Sequence, residues 1–305
     1  MRYIITSWWA CMFLLTVSST KAHSQALESA DSLFAIQQYD FASVMYEQAI
    51  YERPNDAQFL AVTLLSKINC LKAQGKFEQI GSLLSRIDLN EMSDSLKQEI
   101  YFQKALGYYL SDKFEDAEKN ILPSFNLEIY NTKTQLNSVL LYTFILDELG
   151  KWNQAHLIIN DYIQNQSQLP ALEKQRLTHT LDSLYATDQH PKLRSIKKAK
   201  TLSLIFPGMG QAYNGNYGKG FLNFLLTGGS ATFGLVNVLQ TNYITAATAG
   251  VYLFLYFYLG GANQSSYIVP TKNYSKKRKY NDQLKLNLID VSKTISTSTP
   301  QSFHE

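Results

Sequence analysis

Two long uncharged stretches near the C-terminus constrain this chain more than any other feature of its sequence. The first covers about residues 220–240 and the second about residues 243–262, with only Thr241 and Asn242 between them. Each is close to the ~20 residues that a helix needs to cross the ~30 Å hydrocarbon core of a bilayer. They therefore predict two transmembrane helices joined by a tight turn. A buried helical hairpin in a soluble protein is the alternative.

The two stretches differ in character. The second is uninterrupted from Val251 to Leu259, whereas the first contains the polar side chains of Asn223, Thr227 and Asn237. Polar residues within a membrane span are often functional. Small residues four apart let helix backbones approach closely, and they leave open a homo-oligomer formed through this hairpin. These pairs are Gly228 with Thr232, Ser230 with Gly234, and Ala246 with Gly250.

The N-terminus has the layout of a secretory signal peptide. Arg2 precedes an apolar run over 4–17, and Ala22-His23-Ser24 supplies the small residues of a cleavage site. We expect cleavage after Ser24, because the apolar run is short for a membrane span. An uncleaved anchor helix is the alternative. Cleavage places the following domain, residues 25–187, outside the cytoplasm.

Within residues 25–187 the chain repeats itself. Four short stretches open with an aromatic residue and close on an apolar one, and the closing positions are 38, 37 and 38 residues apart. The stretches are Tyr39–Ala42, Phe77–Ile80, Phe114–Ala117 and Trp152–Ala155. Four residues after each closing position come Tyr46, Leu84, Ile121 and Ile159, and seven residues after it come Ala49, Ile87, Ser124 and Tyr162. Offsets of 0, 4 and 7 lie on one face of a helix, so we expect this face to be buried.

An apolar segment precedes three of these helices, at 59–71, 101–110 and 139–149, so each repeat predicts a pair of helices. Gly75 and Gly150 stand before two of the motifs, where a tight turn between helices needs a permissive backbone. A single pair cannot bury its apolar face, whereas stacked pairs share a continuous core. The expected fold class is all-α: a helix-hairpin solenoid, closed by a helix at 171–186, followed by a C-terminal transmembrane helical hairpin.

The repeat resembles the tetratricopeptide family over about residues 26–165. The resemblance rests on Gly150-Lys-aromatic-x-x-Ala155 and on the series Tyr39, Ala42, Tyr46, Ala49 and Pro54. It implies that residues 25–187 hold segments of protein partners, with a purely structural spacer as the alternative. The surface is expected to be acidic, with no row of Asn or Lys side chains lined up across the repeats.

A glycine-rich motif precedes the first uncharged stretch. Its members are Pro207, Gly208, Gly210, Gln211, Tyr213, Asn214, Gly215, Lys219 and Gly220. Pro207 and Gly208 favour a tight turn. Gly210 and Gly215 are expected to allow close backbone approach. The side chains of Gln211, Tyr213 and Asn214 can hydrogen-bond backbone groups where the chain enters the bilayer.

This motif resembles the PGxGQxYNG signature of bacterial two-transmembrane-helix domains of unknown function, which are often appended to tetratricopeptide repeats. The resemblance covers about residues 200–268 and implies a membrane domain without assigning an activity. We interpret the motif as a structural turn. Recognition of a lipid headgroup or of a partner is the alternative.

The net charge of +3 conceals an asymmetry along the chain. Residues 25–187 carry 13 basic and 21 acidic side chains, whereas residues 188–305 carry 13 basic and 4 acidic ones. The basic residues concentrate in a linker at 188–200 and in the first part of 269–305, whose end at 280–305 is expected to be a loose polar tail. The predicted lipid-headgroup collar consists of Lys197, Lys198, Lys200, Lys276, Lys277, Arg278 and Lys279.

The signal peptide and the basic flanks disagree about topology. Cytoplasmic loops carry an excess of Lys and Arg, which would place both flanks in the cytoplasm. We follow the signal peptide and expect a bacterial inner-membrane protein with a periplasmic repeat domain and flanks that bind membrane lipid. No nucleic-acid partner is expected, because the basic cluster adjoins a membrane span and lacks a nucleic-acid-binding fold.

The sequence offers no set of residues for catalysis, for a cofactor or for a metal. None of the five His residues has a paired metal-ligand spacing. No nucleophile elbow, phosphate-binding loop or Cys-His set occurs. After cleavage Cys70 is the one remaining cysteine, and its apolar neighbours indicate a small core residue.

The expected function is therefore non-enzymatic: a membrane-anchored scaffold of the cell envelope that binds proteins through its repeats. The alternative is an accessory subunit of a transporter or of an envelope enzyme, in which the hairpin is the functional part.

Overall fold

The computed structural model describes residues 25–126 and 132–298. Within these residues every regular element is a helix and no strand occurs, which confirms the all-α class. The expected signal peptide at 1–24 lies outside the described residues. One compact unit comprises the described residues up to 178 together with 292–298, and the other comprises His179–Val291.

The first unit is built from helices that pack on their neighbours along the chain. They are α1 (25–35), α2 (Tyr39–Glu52), α3 (Ala57–Ala73), α4 (Glu78–Leu84), α5 (Asp94–Leu110), α6 (Phe114–Ile121), α7 (Thr132–Leu149), α8 (Trp152–Asn165) and α9 (Ala171–Leu184), with 3₁₀ helices at Leu89–Glu91 and Leu122–Asn126. Helix starts follow local signals: the Asp56 carboxylate accepts the N–H of Phe59 before α3, and the Ser93 hydroxyl accepts that of Leu96 before α5. The helix expected at 171–186 is α9.

The repeated apolar positions form the core of the first unit. The four closing positions, Ala42, Ile80, Ala117 and Ala155, are all 0% exposed. The positions four and seven residues later are buried as well, including the polar Ser124. Cys70 is buried and free, as its apolar neighbours indicated. All three positions lie within the helix in α2 and α8, whereas Ile87 follows the end of α4 and Ser124 lies in the 3₁₀ helix after α6, so the expected single helix face is complete in two of the four repeats.

Four helix-to-helix turns share one backbone conformation. Gln37, Gly75, Asp112 and Gly150 each lie two residues before the aromatic residue of their repeat, and each has a positive φ between 58° and 75°. The N–H of the following residue donates to the carbonyl five residues earlier, as in Lys76 to Leu71 at 2.9 Å, and the other three turns form the same bond at 2.8–2.9 Å. This is the Schellman arrangement that ends a helix. The sequence predicted a turn role only for the two glycines.

A row of lysines crosses the repeats, so the expectation that none would line up is wrong. Each lysine directly precedes the aromatic residue of its repeat and pairs with an acidic residue of the preceding repeat. The pairs are Lys76 with Asp40 at 3.2 Å, Lys113 with Glu78 at 3.4 Å, and Lys151 with Glu118 at 2.7 Å. The lysines lie one position before three of the four aligned stretches, outside the residues on which the repeat was defined. Each pair is partly exposed and contributes little on its own.

The second unit contains the glycine-rich motif and the uncharged stretches. Its helices are α10 (Ile196–Ile205), α11 (Met209–Tyr213), α12 (Tyr217–Leu239), α13 (Tyr243–Thr245), a π-helical turn (Ala246–Gly250) and α14 (Val251–Ser298), whose last residues belong to the first unit. The turn after α12 is a further Schellman arrangement: Thr241 has a φ of 62°, and the N–H of Asn242 donates to the carbonyl of Asn237 at 2.8 Å.

Two helices are long and apolar enough to cross a membrane: α12 and the continuous helical run over 243–297. Only 11% of the most apolar 18-residue segment of α12, and 17% of that of the second helical run, is buried. A helical hairpin in the core of a soluble protein would instead be mostly buried. Large apolar side chains are exposed along both helices, among them Phe221, Leu225, Leu235, Leu239, Ile244, Val251, Leu255 and Leu259.

The helix that carries the second stretch does not end at 262. It continues through Pro270 to Ser298, so the expected loose tail is wrong over 280–298. Leu284, Leu288, Val291 and Ile295 are each at most 5% exposed. Their spacings of four, three and four residues place them on one helix face, which is buried. The abundance of polar residues around these four side chains concealed this pattern.

Candidate membrane-interface site

The glycine-rich motif folds into a short turn that includes α11. Gly208, just before α11, has a left-handed φ of 91°. A Cβ on Gly208 would overlap the backbone carbonyl of Gly220, and a Cβ on Gly220 would lie 2.6 Å from the carbonyl oxygen of Gly208. A Cβ on Gly210 would likewise overlap the carbonyl oxygen of Ala199. These three glycines allow backbone segments to touch.

Gly215 has a different role from the one predicted. The nearest atom to a Cβ on Gly215 would belong to the Arg194 side chain, at 3.6 Å, so close backbone approach is not its function. The φ of 74° at Gly215 accounts for the glycine instead, because residues other than glycine rarely adopt this backbone conformation.

Two buried amide side chains fasten α11 to α14. Gln211 is 0% exposed; its Nε2 donates to the carbonyl of Gly261 at 2.8 Å, and its Oε1 accepts from the Ser203 hydroxyl at 3.3 Å. Asn214 is 1% exposed, and its Nδ2 donates to the carbonyl of Ser265 at 2.9 Å. The prediction that these amides hydrogen-bond backbone groups is confirmed.

Tyr213 holds the start of α10. Its hydroxyl accepts the backbone N–H of Ser195 at 3.3 Å. The ring also faces two cations, with Lys198 Nζ at 5.5 Å and the Arg194 guanidinium at 5.9 Å from its centroid. The Tyr213 ring therefore contacts two cations of the first basic segment.

Sequence reasoning missed Ser203, Ser265 and Asn273. Ser203 accepts the N–H of Gly210 at 3.1 Å, and the Ser265 hydroxyl donates to the carbonyl of Ala262 at 2.7 Å. Asn273 pairs with both backbone groups of Arg194: its Oδ1 accepts the N–H and its Nδ2 donates to the carbonyl, each at 2.8 Å. These are ordinary polar residues in sequence, and Arg194 lies 79 positions from Asn273, so no local signal marks that contact.

These contacts join the two basic segments, residues 192–200 and 272–279, into one surface, here called the basic surface. Asn273 binds Arg194, and Lys276 Nζ donates to the carbonyl of Lys192 at 3.0 Å, so residues 192–194 lie along α14. The predicted collar residues are exposed except for Lys277, which is half-buried. Arg278 also approaches Asp282 at 4.0 Å. Lys219 stands exposed in the first turn of α12. Clustered cations of this kind attract anions within about one Debye length, ~8 Å at physiological ionic strength.

The polar residues of the first stretch divide into two kinds. Asn223 Nδ2 donates across to the carbonyl of Phe257 in α14 at 3.0 Å, whereas Asn237 Nδ2 bonds to Phe233 in its own helix at 2.9 Å. The small residues Gly234 and Gly250 meet where α12 crosses the π-helical turn, since a Cβ on Gly250 would lie 2.7 Å from the Cα of Gly234. Asn223 and this glycine contact therefore connect the two long helices.

Among the residues that the structure describes, no group of three or more His, Cys, Asp or Glu side chains is placed to hold a metal ion. Comparisons with protein-family models, with curated proteins and with solved structures found no match. Function is therefore inferred from the chain's own residues.

Proposed function

We propose that this chain is a membrane-anchored, non-enzymatic scaffold of the bacterial cell envelope. In this proposal a solenoid of tetratricopeptide type binds protein partners, and a two-helix membrane hairpin formed by α12 and the run from α13 into α14 holds it at the bilayer. The observation that carries the proposal is the exposed apolar surface of these helices, which gives way to the basic surface at 272–279. A soluble monomer rarely exposes so continuous an apolar surface.

The dimensions support a membrane hairpin. The 23 residues of α12 rise about 34 Å as an α-helix, which matches the ~30 Å hydrocarbon core. Tyr217 and Tyr267 are 74% and 79% exposed, and each lies toward the end of an apolar stretch. Tyrosine rings favour the headgroup level. The basic surface would then meet anionic headgroups.

The interior of the first unit supports a repeat scaffold. The same face of each second helix is buried, and the same turn precedes it in all four repeats. Residues 25–187 carry a net charge of −8 in sequence, and most of their acidic side chains that the structure describes are not buried, Asp147 excepted. Such a surface favours partner segments that carry positive charge.

Membrane insertion is tested by alkaline carbonate extraction of cell membranes. The wild-type chain should stay in the membrane pellet, whereas Leu225→Lys combined with Leu255→Lys should release it, because both side chains are exposed on the long helices. As a matched control, Phe41→Lys combined with Val44→Lys, exposed on α2, should leave the chain in the pellet. Release of the wild-type chain would refute the membrane hairpin.

Partner binding is tested by photo-crosslinking in native membranes. Crosslinkers at exposed positions of the repeats should capture discrete protein partners, and crosslinkers at lipid-facing positions of α12 should not. Absence of capture, together with normal cell function after removal of residues 25–187, would count against a scaffold.

The side of the membrane is tested by reporters fused after Glu305. Alkaline phosphatase activity is expected, because two spans return the C-terminus to the periplasmic side of an exported repeat domain. A signal from a reporter active only in the cytoplasm would instead favour the topology that the basic flanks indicate.

A second candidate function makes the hairpin the active part, as an accessory subunit of a transporter or envelope enzyme. It is favoured by Asn223 Oδ1 and Thr227 Oγ1, which are buried one helical turn apart with no hydrogen-bond partner among the described residues. Intramembrane polar groups of this kind often contact a substrate or partner. Asn223→Leu should then abolish function while insertion persists, and Asn237→Leu, which loses only a bond within its own helix, should not. Wild-type behaviour of both variants would reject this candidate.

A further inference from the structure

Two clefts on the surface between α12 and α14 meet in one groove. The first has a volume of about 470 Å³ and is lined by Lys219, Leu222, Leu226, Tyr256 and Phe257 among others. The second has a volume of about 640 Å³ and is lined by Asn216, Asn263, Tyr267, Thr271 and Lys272 among others. Both clefts contain Gly260 and Gln264, so they are continuous along α14.

Both clefts have mainly apolar walls, and both also contain polar side chains, among them Asn223 in the first and Asn216 in the second. In the first cleft the apolar part of the wall comes from Leu222 and Leu226 on α12 and from Tyr256 on α14. In the second cleft the walls offer hydrogen-bond donors, namely the amides of Asn216 and Asn263 and the hydroxyls of Tyr267 and Thr271. The apolar stretch of α14 ends between Phe257 and Asn263, so the polar groups that α14 contributes lie beyond it.

Two lysines stand in the groove without a counter-charge. Lys219 in the first cleft and Lys272 in the second are both exposed, and neither pairs with an acidic residue that the structure describes. The sequence contains no Asp or Glu between Asp188 and Asp282. A phosphate in either cleft would therefore meet a cation and hydrogen-bond donors, with no acid in this part of the sequence to repel it.

We infer that this groove binds one anionic phospholipid molecule, with its phosphate group at Lys219 and Lys272 and an acyl chain along Leu222 and Leu226. The inference rests on the proposed membrane insertion, and it goes further by assigning a specific lipid site distinct from the collar. Along α12 the wall of the first cleft runs from Leu226 and Leu222 to Lys219, which matches the order of acyl chain and phosphate in a phospholipid. An apolar partner helix in this groove would leave both lysines without a counter-charge.

Gly260 keeps the groove open. A Cβ on Gly260 would have no heavy atom within 4 Å, so this position is empty space at the junction of the two clefts. A larger side chain there fills the groove without disturbing its neighbours. Gly228 on α12 has equally open surroundings and lines neither of the two clefts, so it provides a matched control.

The test is native mass spectrometry of the full-length chain in detergent, titrated with phosphatidylglycerol or with phosphatidylcholine. The wild-type chain should retain one phosphatidylglycerol at least about tenfold more tightly than phosphatidylcholine, because phosphatidylglycerol is a net anion whereas the choline ammonium offsets the phosphate charge of phosphatidylcholine, and each lysine contributes on this scale. Lys219→Gln combined with Lys272→Gln should remove this preference. Gly260→Leu should weaken retention of both lipids by a similar factor while keeping all charges.

Two controls make the outcome decisive. Lys197→Gln combined with Lys279→Gln removes the same charge from the collar and should change lipid retention less than twofold, as should Gly228→Leu. Equal loss in the collar double variant would reduce the site to general attraction of anions and overturn the inference. So would a wild-type dimer that Gly260→Leu dissociates, because a second copy of the chain would then fill the groove. Carbonate extraction separates the two proposals: a chain that is released fails the membrane hairpin, and a chain that stays inserted but retains no lipid fails only the lipid site.

Discussion

Gly208 and Gly220 lie back to back, and each occupies the space that a β-carbon on the other would need. The contact brings the turn before α11 against the first turn of α12, and Gly208 also requires its left-handed φ of 91°. Both features exclude any larger residue at Gly208, whereas only the contact excludes one at Gly220.

Gly208→Ala should therefore lower the stability of the second unit by more than about 2 kcal/mol, through backbone strain and overlap together. Gly220→Ala should cost less, because it adds overlap alone. The measurement is the midpoint of thermal unfolding of the full-length chain in detergent, where about 2 kcal/mol corresponds to a shift of several degrees. Gly218→Ala, with no heavy atom within 4 Å of its Cβ, should leave the midpoint unchanged or raise it.

Because the four turns share one conformation, introducing glycine at one turn and removing it at another should have opposite effects on the stability of the first unit. Gln37→Gly should stabilise the first unit by about 0.5–1 kcal/mol, because Gln37 holds a φ of 63° that suits glycine. Gly75→Gln should destabilise it by about 1 kcal/mol through the same strain, since a Cβ there meets no neighbour. Urea unfolding of the full-length chain measures both changes.

The adjacent residue serves as the control for these turns. Gln38 has a negative φ of −83°, so Gln38→Gly should bring no gain in stability. If Gln37→Gly destabilised the chain as much as Gln38→Gly does, the strain assigned to these turns would be absent.

The C-terminal part of α14 is predicted to depend on its buried face. Leu288 is 0% exposed and Leu286 is 67% exposed, two positions away on the same helix. Leu288→Ala should cost about 2–5 kcal/mol, the usual range for a leucine removed from a core. Leu286→Ala should cost less than about 0.5 kcal/mol. Amide hydrogen exchange across 280–298 measures both effects. Fast exchange in the wild-type chain, unchanged in either variant, would contradict the helix and support a loose tail.

Acid should weaken one cluster of the repeat domain. Glu47 Oε1 lies 2.6 Å from both Lys67 Nζ and Arg86 Nη1. Burial favours the neutral carboxyl, but hydrogen bonds and charge from Arg86 and Lys67 outweigh it and hold the pKa of Glu47 below its ordinary value of 4.5. A lowered pKa contributes stability above the unfolded value, and this contribution is lost as the pH falls through the folded value.

Glu47→Gln should therefore be less stable than wild type above about pH 5, by up to about 1 kcal/mol because the carboxyl is partly exposed, and the difference should shrink in stronger acid. Urea unfolding at a series of pH values measures it. Glu28→Gln, at an exposed position of α1, should show no comparable difference. A Glu47→Gln deficit that persisted unchanged in acid would mean that packing, rather than the ion pairs, explains it.

The repeat could be predicted from the sequence because its signal is local. A helix face is defined by residues three and four apart, so Ala42, Tyr46 and Ala49 could be assigned to the core without any tertiary information. The turns were only half predicted. Glycine announces a left-handed residue, whereas Gln37 and Asp112 adopt the same conformation under the constraint of the helices on either side and leave no compositional trace.

The candidate site could be predicted only in part for a related reason. Gln211 and Asn214 stood out because they belong to a compact motif. Their partners, the carbonyl groups of Gly261 and Ser265, lie 50 and 51 positions away. Asn273, which unites the basic surface, resembles any other asparagine in sequence. Pairings across such distances depend on tertiary packing that no short pattern encodes.

The identical turns have a consequence for the evolution of chain length. Because Gly75 and Asp112 have the same backbone conformation and the same bonds to the preceding helix, excising the 37 residues 76–112 would place Lys113 directly after Gly75 with matching geometry. Duplicating that segment would likewise keep the geometry of the junction. The array can therefore lengthen or shorten in whole steps without inventing a new junction, and its reach is free to be adjusted independently of the chemistry on its surface.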